Sequence, residues 1–208
     1  MQWIVEVHDA LAVGRSPIVA ASIGTWMGAH YAIARPGRVE RLAMLSPVGM
    51  VGSMRMKWLI KMAIKTQLRP STAKTEWMLA AITTDETVPK LRAGPWHAIA
   101  QQFIFGMPNF RANLREPRPG ARCNIERLAS SRIPLLILIP RDETGQDGPR
   151  TADRYRQQLP HARVELVDDS NHIVSPIGPT WSRIGSRSSS ARGESSFRRW
   201  IGRSAGWR

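Results

Sequence analysis

Five consecutive apolar residues, Pro17-Ile18-Val19-Ala20-Ala21, stand between the polar Arg15-Ser16 pair and Ser22. A run this short, rich in small and β-branched side chains, predicts a buried strand, and the stretch from Ile23 to about Ala34 predicts a helix. Arg35-Pro36-Gly37 stops that helix. Val39 to Leu45 forms a second apolar run, which predicts another buried strand ending at Ser46-Pro47. Upstream, residues 2–13 read as an amphipathic helix with Trp3, Ile4, Val7 and Leu11 on one side and Glu6 and Asp9 elsewhere. From Val48 to about Pro119 the alternation ceases. This region reads as helical, is rich in methionine and tryptophan, and is broken by Pro70, Pro89, Pro95 and Pro108. The alternation then resumes. Asn124 caps a short helix to Ser130, Ile133–Ile139 is a strongly apolar strand, a helix lies around Thr151–Leu159, and Arg163–Val167 is a last strand.

Strands that alternate with helices predict an α/β protein with a parallel sheet of about four strands flanked by helices. Residues 1–47 and 120–175 then form the core. Residues 48–119 are a helical insertion after the second strand, a lid over the strand ends, and residues 176–208 are a tail.

Composition sharpens this picture in a few places. The 208 residues, 42% hydrophobic and 22% charged, suffice for one globular domain with a sizeable core. No apolar run approaches the roughly 20 residues needed to span a bilayer. Glu6 and Asp9 stand where a secretory leader would be basic, so no signal sequence is expected. The single cysteine, Cys123, forms no internal disulfide and fits a reducing cytoplasm. No Cys/His cluster has metal-ligand spacing, so no metal is expected.

The net charge of +14 raises the question of nucleic acid. From Trp181 to Arg208 there are seven arginines and one glutamate, a net +6, which leaves +8 on the other 180 residues. That tail is rich in serine and glycine, shows no helical or strand period and reads as disordered. It would meet phosphates nonspecifically, and a basic nucleic-acid-binding protein is a reading that rests on the tail alone.

Ser22, on a strand-to-helix corner, carries the candidate chemistry. Such a corner pushes the hydroxyl out of the sheet, with the helix N-terminus and the Ile23 backbone N–H behind it to favour developing negative charge. A nucleophile elbow is usually spelled G-x-S-x-G, and here it reads Ala20-Ala21-Ser22-Ile23-Gly24. The alternative is an ordinary helix N-cap. A nucleophilic serine needs a base, and the base needs an orienting carboxylate. His172 follows the last strand in Val167-Asp168-Asp169-Ser170-Asn171-His172, and Arg141-Asp142-Glu143 follows the strand before it. Parallel strands would bring all three loops to one sheet edge. The competing readings are a surface histidine and plain turn acids.

In the order serine, acid, histidine, and over about Trp3 to Val174, the chain resembles the α/β-hydrolase superfamily, in particular its lidded esterase-like members. The matching segments are the elbow, then His30-Tyr31-Ala32 and Pro36-Gly37-Arg38-Val39-Glu40-Arg41-Leu42-Ala43-Met44-Leu45-Ser46-Pro47. Further on come Ile133-Pro134-Leu135-Leu136-Ile137-Leu138 with Pro140-Arg141-Asp142-Glu143, and Val164-Glu165-Leu166-Val167 leading to His172. The resemblance implies a partial α/β-hydrolase fold and an ester or related acyl substrate. It makes Ser22 the nucleophile, His172 the base, Glu143 the acid (with Asp142 the alternative, because Pro140 replaces a usual glycine) and Ile23 N–H an oxyanion donor. It implies no metal or organic cofactor. Ala20 and Thr25 also replace usual glycines, and Thr25 is expected to add bulk where helix and sheet approach closely. Family members begin with three or four further strands and end in a further helix. A chain lacking these would have weak activity or none, and would expose the strand 17–21 for self-pairing. A different class of reading is a non-catalytic remnant or binding protein that keeps the half-sheet.

Lys57, Lys61 and Lys65 recur every four residues beside Trp58, Leu59 and Met62. Such a basic amphipathic stretch is either a lid helix over a pocket or a helix lying on a membrane. His30 reads as structural, and His8, His97 and His161 as surface or lid residues.

Overall fold

The computed structural model describes residues 2–51, 54–67, 70–85, 88–89, 93, 96–109 and 124–173. Its centre is a four-stranded parallel sheet in the order β1 (Ser16–Ala21), β2 (Val39–Leu45), β3 (Leu135–Pro140), β4 (Arg163–Val167). Helix α1 (Gln2–Ala10) precedes the sheet, and α2 (Ile23–Ala34) links β1 to β2. Helices α3 (Met56–Gln67), α4 (Thr72–Ile82) and α5 (Trp96–Asn109) lie between β2 and the short α6 (Ile125–Ser130), and α7 (Gly148–Gln158) links β3 to β4. The parallel α/β class expected from the alternation is therefore the observed one.

Every residue of β3 is buried, which is why its sequence is apolar throughout rather than alternating. Successive side chains still point to opposite faces. Leu135, Ile137 and Ile139 join Leu42 and Met44 of β2 in a large core with Trp26, Ala29, Tyr31 and Ala32 of α2 and Ala152 and Tyr155 of α7. Leu136 and Leu138 face the other way, with Ala43 and Val167. Burying one such aliphatic side chain contributes about 1.5–3 kcal/mol, so this strand anchors the sheet.

Helix α2 packs closely on the sheet at Gly28, where a Cβ would lie 3.1 Å from Cβ of Ala20 and 3.2 Å from a Leu42 methyl. The methyl that Ala20 adds to the elbow thus has room because the facing helical residue is glycine. Thr25, expected to crowd the sheet, is fully buried with its hydroxyl donating to the Ser22 carbonyl at 2.6 Å. The close approach falls one helical turn later.

Three further differences from the sequence reading are local. Helix α1 ends at Ala10 and leaves Trp3, Val7 and the following Leu11 exposed, while Ile4 of the same expected stripe packs part-buried against the main core. The helix also buries His8, whose Nδ1 pairs with the Tyr31 hydroxyl at 3.1 Å, so His8 is a core residue rather than a surface one. Helix α5 runs through Pro108 and ends one residue later, so the missing N–H falls in its last turn. Pro70, by contrast, does stand at a boundary, just before the α4 cap Ser71, whose side chain accepts from the Lys74 N–H.

Helices α3 to α5 share a separate apolar cluster of Met62, Met78, Leu79, Ile82 and Ile104, flanked by Trp58, Trp77 and Ile173. The α3 lysines stay outside it, with the Lys65 ammonium 3.9 Å from the Trp77 ring centroid. Met56, Ile60 and Ile64 form a third, exposed face of α3. Cys123, Pro95 and the tail 176–208 lie outside the described residues. Among the described residues no helix is long and apolar enough to cross a membrane.

Candidate active site

The carboxyl ends of β1, β3 and β4 point the same way, and the residues after each one meet. Ser22 follows β1 directly, at φ 51° and ψ −125°. Positive φ is uncommon for a residue with a side chain and costs on the order of 1–3 kcal/mol. Both sides of the corner hold it there. The Ser22 N–H donates to the Leu45 carbonyl at 2.9 Å, while the Ser22 carbonyl accepts from the Thr25 N–H at 3.0 Å and from its hydroxyl. Although Ser22 occupies the N-cap position, its side chain makes no capping hydrogen bond. Its Oγ lies 2.7 Å from Nε2 of His172 instead.

The Nδ1 of His172 is 2.8 Å from Oε2 of Glu143, whose side chain is fully buried. The other carboxylate oxygen, Oε1, accepts the Gly145 N–H at 3.0 Å. Both oxygens of the buried carboxylate are therefore satisfied, as burial demands. The network also selects the histidine tautomer: Nδ1–H donates to the carboxylate, which leaves Nε2 to accept the Ser22 hydroxyl proton.

The two loops carrying Glu143 and His172 extend the β3–β4 pairing. Arg141 N–H donates to the Val167 carbonyl at 2.8 Å and Asp142 N–H to the Ser170 carbonyl at 3.1 Å. The Arg141 guanidinium pairs with Asp168 at 2.5 Å. Asp142 itself is exposed. Of the two acids weighed from sequence, Glu143 touches the imidazole. Ile23 opens α2, so its N–H is among the first of that helix, which lack intrahelical carbonyl partners. His30 donates from Nδ1 to the Trp26 carbonyl at 2.8 Å, apart from this network, while His97 and His161 are exposed.

Some contributors were not read from the sequence. Gln146 is fully buried and donates from Nε2 to the Pro47 carbonyl at 2.7 Å, tying the acid loop to the end of β2. Asn171 touches both loops and α4; its only sequence signal is its place beside His172. Among the described residues, no group of three or more His, Cys, Asp or Glu side chains is arranged to hold a metal ion.

No protein-family model matches the chain. It is 24% identical over 185 residues to an uncharacterized carboxylesterase of Bacillus subtilis, covering 86% of this chain and 58% of that protein. Among solved structures, the carboxylesterase CesB of Bacillus subtilis superposes with a TM-score of 0.67 at 21% identity, over 85% of this chain and 60% of that one. The naproxen esterase of the same organism gives 0.66 at 23% identity, over 83% and 59%. A meta-cleavage product hydrolase gives 0.57 at 18% identity, over 81% and 62%. The chain thus spans about three fifths of the length of these relatives. Its sheet order, its strand-to-helix corner and its structural neighbours agree: the chain has the fold of the α/β-hydrolase superfamily.

Proposed function

We propose that this chain carries a serine-hydrolase site for an ester or related acyl substrate, with Ser22, His172 and Glu143 as its catalytic triad. One observation carries the reading: the continuous relay of 2.7 and 2.8 Å from Ser22 through His172 to the buried Glu143. Nε2 of His172 takes the Ser22 proton as Oγ attacks the acyl carbonyl. The carbonyl electrons move to oxygen, where the Ile23 N–H and the α2 dipole meet the charge. The tetrahedral adduct collapses to an acyl-serine as His172 returns the proton to the leaving alcohol. Water, deprotonated by the same imidazole, then releases the acid. Glu143 keeps the imidazole in the right tautomer and meets its transient positive charge. Nothing in these steps calls for a metal or organic cofactor.

The remaining roles follow the same reading. Residues 48–119 form a lid whose apolar cluster favours a hydrophobic acyl or alcohol group. The exposed edge of β1, where Val19 is 49% exposed, supports self-association. The lone Cys123 fits a reducing cytoplasm.

A serine-reactive fluorophosphonate tests the proposal on the full 208-residue chain. Stoichiometric labelling that Ser22→Ala abolishes is expected, and no labelling of the folded parent chain overturns it. The exposure of Val19 on β1 favours one competitor, a binding protein that keeps this sheet without the chemistry; it predicts an unlabelled chain.

A further inference from the structure

We propose that Asn171 is a positioning residue, which ties the His172 loop to the last turn of α4 so that the setting of the helical block decides whether His172 reaches Ser22. The inference deepens the hydrolase reading and rests on it for the roles of those two residues.

The Asn171 side chain uses both ends of its amide. Oδ1 accepts from the Thr144 N–H at 3.2 Å, from the Thr144 hydroxyl at 3.3 Å and from the His172 N–H at 2.7 Å. Nδ2 donates to the carbonyls of Ala81 and Thr83, each at 3.3 Å. The orientation of the amide is fixed by its partners, because backbone N–H groups only donate and carbonyls only accept. A flipped amide would set donor against donor at two backbone N–H groups and acceptor against acceptor at two carbonyls.

Residue 173 grips the same turn from the other side. Its N–H donates to the Ile82 carbonyl at 3.0 Å, and its side chain packs against the cluster of Met62, Met78, Leu79, Ile82 and Ile104. Three consecutive carbonyls, of Ala81, Ile82 and Thr83, therefore receive hydrogen bonds from the residues on either side of His172. They are available because the last carbonyls of a helix have no intrahelical donor. The base loop and α4 each satisfy the other's open groups, and His172 is the residue between the two grips. Because Oδ1 also holds Thr144, next to Glu143, one side chain joins the acid loop, the base loop and the helical block. Every group in this link is neutral, so it transmits position rather than charge.

The test compares the parent 208-residue chain with Asn171→Ala and Asn171→Asp, by amide hydrogen exchange and by the rate of fluorophosphonate labelling. In Asn171→Ala, exchange at Ile173 and Thr144 is expected to speed by about tenfold or more. Labelling slows by roughly 10–100-fold, the scale of an ångström-level misplacement of a catalytic group. The urea midpoint and exchange in β3 stay near parent values, which a general loss of structure would not allow. With a chromogenic ester, kcat falls and KM changes little. Asn171→Asp keeps an acceptor for Thr144 and His172 but loses both donors to α4. It should protect Thr144, free Ile173, and label at an intermediate rate. Unchanged exchange at Ile173 in Asn171→Ala, or an unchanged labelling rate, overturns the proposal. A parent chain that does not label at all defeats the hydrolase reading instead, and the exchange arm still decides whether Asn171 makes the tie.

Discussion

Gly148 stands so close to the end of β3 that a Cβ on it would lie 2.2 Å from the Pro140 carbonyl oxygen and 2.7 Å from that of Arg141. Both atoms belong to backbone, which cannot swing away as a side chain can. Gly148 opens α7 directly after the cap Asp147, and the loop between it and β3 carries Glu143. Gly148→Ala is expected to destabilise the chain by about 1–3 kcal/mol through overpacking, read from the urea midpoint. Because relief of the clash must move the loop, labelling of Ser22 should slow by about tenfold or more in the variant that remains folded.

Ser22 pays for its position with a left-handed backbone. Glycine adopts positive φ without that cost. Ser22→Gly and Ser22→Ala both remove the hydroxyl and its bond to His172, yet only the first relieves the strain. Ser22→Gly should therefore be more stable than Ser22→Ala by about 1 kcal/mol, measured by denaturant unfolding, while neither labels.

Glu143→Gln is nearly isosteric but puts an NH2 donor group in place of one of the two carboxylate acceptors. If the amide oxygen keeps the Gly145 N–H, the amide nitrogen faces Nδ1 of His172. The imidazole must then accept at Nδ1 and carry its proton on Nε2, the tautomer unable to take the Ser22 proton. Labelling should fall by a factor on the order of 10³–10⁴. Asp142→Asn, on an exposed side chain, should leave it within about twofold of parent. Equal losses in the two variants would contradict this division.

Val19 lies on the open edge of the sheet and is half exposed. A lysine there blunts strand-to-strand pairing. Val19→Lys is expected to shift sedimentation at high protein concentration from associated species toward monomer. An identical concentration dependence in parent and variant would show that the edge does not self-pair.

The strands and the corner at Ser22 were legible because each is written in a short local pattern, and the chain order Ser22, Glu143, His172 is read directly from the sequence. The resemblance put the acid on Glu143 with Asp142 as the alternative; that Glu143 turns inward to touch His172 while Asp142 stays exposed is visible only in three dimensions, since adjacent loop residues differ only in which one turns inward. The helical period of α1 located an apolar stripe of which only Ile4 packs inward, and it gave no sign that His8 would be buried against Tyr31. Thr25 and Gly28 show the same limit: a turn's displacement along α2 separates the expected close approach from the real one. Asn171 was invisible as a clamp because its partners at Ala81 and Thr83 come from a helix whose position is set by packing within the 48–119 block.

The hydrogen bond between Ser22 and His172 joins residues 150 positions apart. On a ribosome adding 5–20 residues each second, roughly 8–30 s separate the synthesis of Ser22 from that of His172. Through that interval the corner at Ser22 has only local support, and β4 must dock on β3 before the imidazole arrives. The contact between the Ser22 hydroxyl and the His172 imidazole is thus assembled last, once nearly all of the sheet is in place, and under the proposed roles the serine gains its base only then.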